Sequence, residues 1–367
     1  MVHPLRSTAC GHPESPPSSR FIAAMPFPTS DHCDGTRFLN PWANTDKSVS
    51  DLLRWRRERN RSGWPQWAEN APCSPPPATV ADNQIALTHI GHATFLIRIG
   101  AVTLLTDPVF SGFVGPLSWL GTRRVRAPGL ALEALPPVDL VLLSHNHYDH
   151  MDLPSLRAVA QRWRPPIATG LGNGRALTAK GIEGGVELDW WQCFQPCPGV
   201  TVHLVPASHW SRRGLFDRRK TLWGGFVVET PAGRVYFAGD TGYAPHFAAI
   251  GRRLGPPDIA LLPIGAYEPR WFMASQHINP EEAVRAHLDL GAGLSIAMHH
   301  ATFPLADEAM AEPVAALGRA RTTLGVSDQA FRVLDFGETL VWSGDIALAS
   351  GGRGFTPAPH QGHSPWT

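Results

Sequence analysis

Short apolar runs closed by turn residues recur along this chain, and they predict a fold rich in strands. Val138-Asp139-Leu140-Val141-Leu142-Leu143 reads as a short, mostly buried strand, and Asp152-Leu153-Pro154 followed by Leu156, Val159 and Ala160 reads as a helix start. Residues 85–106 read as two or three strands in succession, the last being Val102 to Thr106. Val200 to Val205 alternates like a strand, and Arg234 to Ala238 and Leu294 to Met298 read as two more. Helical periodicity is sparser. Val49 to Arg61 predicts a basic amphipathic helix carrying Leu52, Leu53 and Trp55, which packing on the domain accounts for better than docking on lipid. A second helix is expected from Pro280 to Leu290, with Asn279 as N-cap and Gly291 as terminator.

Four of the strand-like runs lead into residues that bind metals. The apolar run to Leu143 opens into Ser144-His145-Asn146-His147-Tyr148-Asp149-His150, three imidazoles and a carboxylate on a strand-to-helix turn. A loop histidine alone is most often a surface residue. A whole HxHxDH run is not, because each buried polar group would otherwise need its own partner. His145 and His147 can reach one ion and Asp149 and His150 a second. Two ions need more donors, and the other runs lead to His209, to Asp240 just after Gly239, and to His299. Imidazole and carboxylate together suit zinc, with iron or manganese also admissible.

That order of residues resembles the metallo-β-lactamase superfamily. Further segments, among them Ile90 to Ile97, Thr106 to Ser111, Pro206 to Trp210, Phe237 to Tyr243 and Pro263 to Met273, are similar to the N-acyl-phosphatidylethanolamine-hydrolysing phospholipase D family. The similarity runs from about Asp34 to Pro313. It implies an α/β fold, a four-layer αββα sandwich with metals at one edge of the facing sheets, and two divalent cations, Zn2+ foremost. By the same resemblance His145, His147 and His209 hold one ion, Asp149, His150 and His299 hold the other, and Asp240 bridges them. The implied reaction is hydrolysis of a phosphodiester by a hydroxide held between the cations, releasing phosphatidic acid and an N-acylethanolamine. Asp149, Asp240 and His277 would be the catalytic residues, with His277 positioning substrate or moving a proton. His277 can also be read as the residue leading into the Asn279-capped helix. The chain departs from the family at His300 and Ala301, where tryptophan and glycine are usual, so His300 could compete as a ligand.

Other candidates are read more coarsely. Asp107 is either an acceptor behind a ligand imidazole or a turn cap before Pro108, and His92 either faces the site or bonds within the first hairpin, the second being the favoured expectation. Phe113 and Trp119, in an apolar segment followed by Arg123, Arg124 and Arg126, form one candidate substrate lip, and Trp271, Phe272 and Met273 form a second. The basic, aromatic stretch from Trp210 to Trp223 reads as a solvated or headgroup-facing loop. Nucleic acid is not an expected partner, since the formal net charge is only +1. The expected partners are a phospholipid substrate and the membrane surface, and a homodimer is left open. A lactone or carboxylic-ester hydrolase on the same two-metal site is the alternative activity, and a metal-containing lipid-binding or sensor protein is a third reading.

With 43% hydrophobic residues the chain can bury one large core. The expected organisation is a poorly packed segment 1–33, a helix and proline-rich connector at 34–80, a catalytic domain at 81–345 and a tail at 346–367. Five scattered cysteines imply no disulfide framework, and Cys193 and Cys197 are expected as thiols. No apolar run is long enough to span a bilayer and no secretory leader is evident, so a cytoplasmic protein with peripheral membrane contact is expected.

Overall fold

The computed structural model describes residues 27–59, 63–117 and 120–344. After the helix α1 (Val49–Glu58), the chain builds one sheet from β1 (Gln84–Gly91), β2 (Thr94–Ile99) and β3 (Val102–Thr106) and adds a ribbon, β4 (Phe113–Leu117) with β5 (Leu120–Arg123). The first sheet then continues through β6 (Leu140–Leu143), α2 (Leu153–Trp163), β7 (Ile167–Gly170), α3 (Asn173–Thr178) and β8 (Gly185–Leu188). The second half lays down β9 (Cys193–Cys197), β10 (Val200–Val205), β11 (Gly225–Thr230), β12 (Gly233–Phe237), α4 (His246–Leu254) and β13 (Ile259–Pro263). It ends with α5 (Arg270–Met273), α6 (Pro280–Leu290), β14 (Leu294–Met298), α7 (Glu312–Leu324), β15 (Phe331–Arg332) and β16 (Thr339–Ser343). The strand orders are β16-β1-β2-β3-β6-β7-β8 and β15-β14-β13-β12-β11-β10-β9. In both sheets the strands joined through helices pair in parallel, β6 with β7 and β13 with β14, whereas tight turns join antiparallel pairs.

Period-two alternation sorts the side chains into layers. Phe95 and Ile97 of β2 and Leu140 and Leu142 of β6 point to the face shared with Val202, Leu204, Phe226 and Phe237 of the other sheet. Leu96, Val141 and Leu143 point the opposite way, onto Leu156 and Val159 of α2 and Leu177 of α3. The outer face of the second sheet is covered by Phe247 and Ile250 of α4, Val284 of α6 and Leu317 of α7. These are the four layers of an αββα sandwich. Strands such as β6 are apolar throughout because both their faces are buried, and each fully buried Phe or Leu contributes about 1.5–3 kcal/mol.

Several elements differ from expectation. The amphipathic helix stops at Glu58 and touches the domain mainly through Trp55, stacked on Phe272, while Val49, Leu52 and Leu53 remain exposed. Cys33, Cys73 and Cys197 are free thiols, but Cys193 is disulfide-bonded, contrary to its reading as a thiol. No helix among the described residues is long and apolar enough to cross a membrane.

Candidate metal centre

Every donor of the site follows the C-terminal end of a strand, so the sandwich delivers them to one edge. His92 follows β1, Asp107 follows β3, His145 to His150 follow β6, His209 follows β10, Asp240 follows β12 and His299 follows β14. The backbone is bent hard to do this: His92, Asp107 and His299 have positive φ values of 54°, 28° and 58°. The left-handed region costs non-glycine residues about 1–2 kcal/mol each, and such strain gathers where geometry serves function. Two glycines permit the close approach of the loops. A Cβ on Gly239 would stand 2.7 Å from the Ser144 side chain, and one on Gly265 would stand 2.1 Å from the His299 carbonyl oxygen.

The seven residues predicted as ligands come together in two groups that share one carboxylate. His145, His147, His209 and Asp240 form the first; Asp149, His150 and His299, with His92, form the second; within each, potential donor atoms lie within 4.8 Å of one another. His147 Nδ1 is 2.9 Å from His145 Nε2 and 3.1 Å from His209 Nε2. Asp240 stands between the groups, its Oδ2 3.1 Å from His150 Nε2 and 3.8 Å from His209 Nε2, and its Oδ1 3.1 Å from His299 Nε2. His92, expected to bond within the hairpin, instead faces the site, with Nε2 3.1 Å from Asp149 Oδ2.

Supporting groups fix the ring orientations. His150 Nδ1 donates to Asp107 Oδ2 at 2.6 Å, and the same carboxylate accepts from the Ser144 backbone N–H at 2.7 Å. Asp107 is therefore the acceptor behind the His150 imidazole, and His150 Nε2 is left facing the centre. His209 Nδ1 donates to the Gln276 carbonyl at 2.9 Å, and Asn40 accepts from the His209 N–H at 3.1 Å. Arg213 donates to the Asn146 and Met151 carbonyls and clamps the histidine loop. Asn40, Gln276 and Arg213 escaped the sequence reading because their roles run through backbone atoms.

The electrostatics of the two groups differ. Burial pushes His147 down to about 4 and His209 to about 3, so the imidazoles of the first group are neutral and ready to bind a cation. Burial also opposes charge on His150 and His299, yet Asp240 and Asp149 beside them outweigh it, and His299 rises to about 9. Burial would raise Asp149 and Asp240 too, but His150 and His299 hold both well below the ordinary carboxylate range. The second group thus balances two carboxylates with protons, and a divalent cation would displace them. His150 Nε2, His299 Nε2 and Asp240 Oδ1 are buried, and despite these close approaches none makes an aligned hydrogen bond. Converging unpartnered donors of this kind fit divalent metal ions.

His277 sits at the mouth of the centre, its Nδ1 unpartnered and 3.9 Å from Asp240 Oδ2. Burial lowers it to about 3, so the ring is neutral, which suits positioning rather than proton carriage. Its place at the entry to α6 is also clear, because Arg270 anchors the His277 carbonyl at 2.9 Å while pairing with Glu282 in the capping box of α6. His300 lies in neither donor group. Among the substrate candidates, Phe113 and Trp271 are exposed, Trp271 beneath Arg54, and Trp119 lies outside the described residues. Phe272 and Met273 are not a lip: they are buried with Ala266, Ala306 and Trp55 as a small satellite core. In the basic loop, Arg218 and Arg219 pair with Asp46, and the apolar tip Leu215-Phe216, missed in the sequence, is about four-fifths exposed.

A family model described as a beta-lactamase superfamily domain matches residues 103–300, which hold the histidine loop, Asp240 and His299. The chain belongs to the beta-lactamase superfamily. An uncharacterised protein of Mycobacterium tuberculosis is 44% identical over 237 residues, covering 63% of this chain and 63% of that protein, so the chain spans under two thirds of that relative's length. The N-acyl-phosphatidylethanolamine-hydrolyzing phospholipase D 1 of Caenorhabditis elegans is 37% identical over 278 residues, covering 71% of this chain and 76% of its own. Among solved structures, a metallo hydrolase of Ignicoccus hospitalis, Igni18, superposes with a TM-score of 0.55 at 25% identity over 71% of this chain and 99% of its own.

Proposed function

We propose that the chain hydrolyses a phosphodiester of a glycerophospholipid, of the N-acyl-phosphatidylethanolamine type, in the manner of a phospholipase D. The observation that carries the reading is the paired donor set with Asp240 between its halves and a carboxylate in each, where purely structural zinc sites rely on Cys and His. His145, His147 and His209 would hold one divalent cation, and Asp149, His150 and His299 the other, with Asp240 common to both. Bound there, two such cations acidify water and offset negative charge on phosphoryl oxygens.

The protein's own part is placement. Asp107, Ser144, Gln276 and Asn40 hold the rings in one tautomer and orientation, so little reorganisation is left for the reaction itself. Asp149 and His277, at 14% and 12% exposure, and the half-buried His147 are the more open side chains, against 0–2% for His145, His150, His209, Asp240 and His299, so substrate enters over them. The neutral His277 ring offers one donor and one acceptor to a substrate oxygen there. Beside the histidine loop, Phe113, Leu117, Tyr148 and Arg213 line a cavity of about 410 Å³. An apolar wall next to a guanidinium suits an amphipathic phosphate ester, and similarity to the nematode phospholipase D supports the same substrate class.

The test is product analysis by mass spectrometry after incubation with mixed membrane lipids. Phosphatidic acid and N-acylethanolamines should appear, disappear on metal removal, and return with zinc. Cleavage confined to lactones or carboxylic esters would replace this reading with the alternative.

A further inference from the structure

The histidine that departs from the family pattern faces a different cavity. His299 and Ala301 both have positive φ, 58° and 54°, and between them His300 joins neither donor group. It lines a cavity of about 630 Å³ together with Arg126, Met310, Val314, Asp335 and Phe336. His300 is 6% exposed, and both its ring nitrogens are buried without a partner. Arg126 lies over the Phe336 ring at 4.7 Å and donates from Nη2 to the Glu69 carbonyl at 3.2 Å, while its Nε is also unpartnered. The thirteen-residue α7 starts on the same wall without a side-chain cap, presenting its positive end.

Buried polar atoms without partners are costly and rare in folded proteins. Here they share one cavity with a cation and with apolar side chains. We propose that this cavity is a second ligand site, for an amphiphile with a small monoanionic head. The head accepts hydrogen bonds from His300 and Arg126, and the apolar body lies on Met310, Val314 and Phe336. Asp335, the acidic residue of the lining, disfavours a dianion. The site is separate from the metal centre, so its test does not depend on what that centre hydrolyses.

Decanoate is the probe, titrated calorimetrically into the metal-loaded protein. One equivalent should bind, with decanol and inorganic phosphate each binding at least about tenfold more weakly because each lacks one half of the recognition. His300→Phe should weaken decanoate about tenfold or more. Val314 is 39% exposed, so Val314→Trp should block the cavity with the melting temperature unchanged. In cobalt-loaded protein the visible spectrum should not respond to decanoate, since the ligand stays away from the donors. Absence of binding, undiminished binding in both variants, phosphate binding as tight as decanoate, or a cobalt spectrum that shifts in step with occupancy would each overturn the assignment.

Discussion

Replacing Asp107 with asparagine tests whether the centre is organised from behind, as its geometry indicates. The carboxylate accepts from His150 Nδ1–H at 2.6 Å and from two donors of Ser144, the backbone N–H at 2.7 Å and the hydroxyl at 2.5 Å. An amide of the same shape keeps one acceptor oxygen and turns an N–H2 group towards His150 or Ser144. His150 then loses the bond that keeps its proton on Nδ1, and with it the preference for a free Nε2. Outer partners of metal-bound histidine are typically worth 10–100-fold in metal affinity, or about 1.4–2.8 kcal/mol. Because Asp107 supports His150 directly, the loss should fall mainly on the ion of the Asp149, His150 and His299 group. Chelator competition with a zinc indicator resolves this: wild type should release two equivalents, and Asp107→Asn should show one affinity lowered about 10–100-fold with the other nearly unchanged. Equal weakening of both ions, or no weakening, would refute the reasoning.

Three further outcomes follow from the same structure. His277→Ala should retain both metals yet lose about 10²-fold in turnover, as expected when a group that positions substrate is removed; loss of metal along with activity would count against a positioning role. Leu215→Ser with Phe216→Ser, at the exposed loop tip, should reduce sedimentation with anionic vesicles while leaving hydrolysis of a short-chain, soluble substrate intact. Stability should fall on acidification below about pH 6.5, because burial holds His246 down at about 3 in the fold while the unfolded chain binds a proton near 6.5. A lowered folded value for a histidine means the unfolded state holds more protons across that window, so stability is lost as pH drops from 6.5 towards 3. At pH 5 the difference is about 2 kcal/mol for this one group, and His246→Gln should flatten the urea-denaturation slope against pH by that amount.

The residues that converge on the two donor groups were legible in the sequence because each follows a strand whose alternation or continuous apolar character is strong. Leu140 to Leu143 is buried on both faces, which makes β6 conspicuous, and the three imidazoles come directly after it. The same holds for α6, whose predicted limits match the structure because Asn279, Pro280 and Gly291 are strong boundary signals. His92 was misread because its direction depends on the backbone: Gly91 and His92 both turn to positive φ, swinging the ring away from the hairpin and onto Asp149. That Gly91 precedes it was the available signal. Phe272 and Met273 were misread as a lip because α5 is only four residues long, too short for periodicity to tell its inner face from its outer one. The packing of Trp55 beneath it is a long-range contact. The edge strand β16 went unnoticed for a related reason, as its partner β1 lies some 250 residues away and its own burial is partial.

The central claim is that one carboxylate ties two cation sites into a single centre. Anomalous diffraction from crystals grown with zinc, recorded on both sides of the metal edge, measures this most directly. Two peaks should flank Asp240, one among His145, His147 and His209 and the other among Asp149, His150 and His299. A lone peak that Asp240 does not touch, or no peak at that edge of the sandwich, would contradict the account.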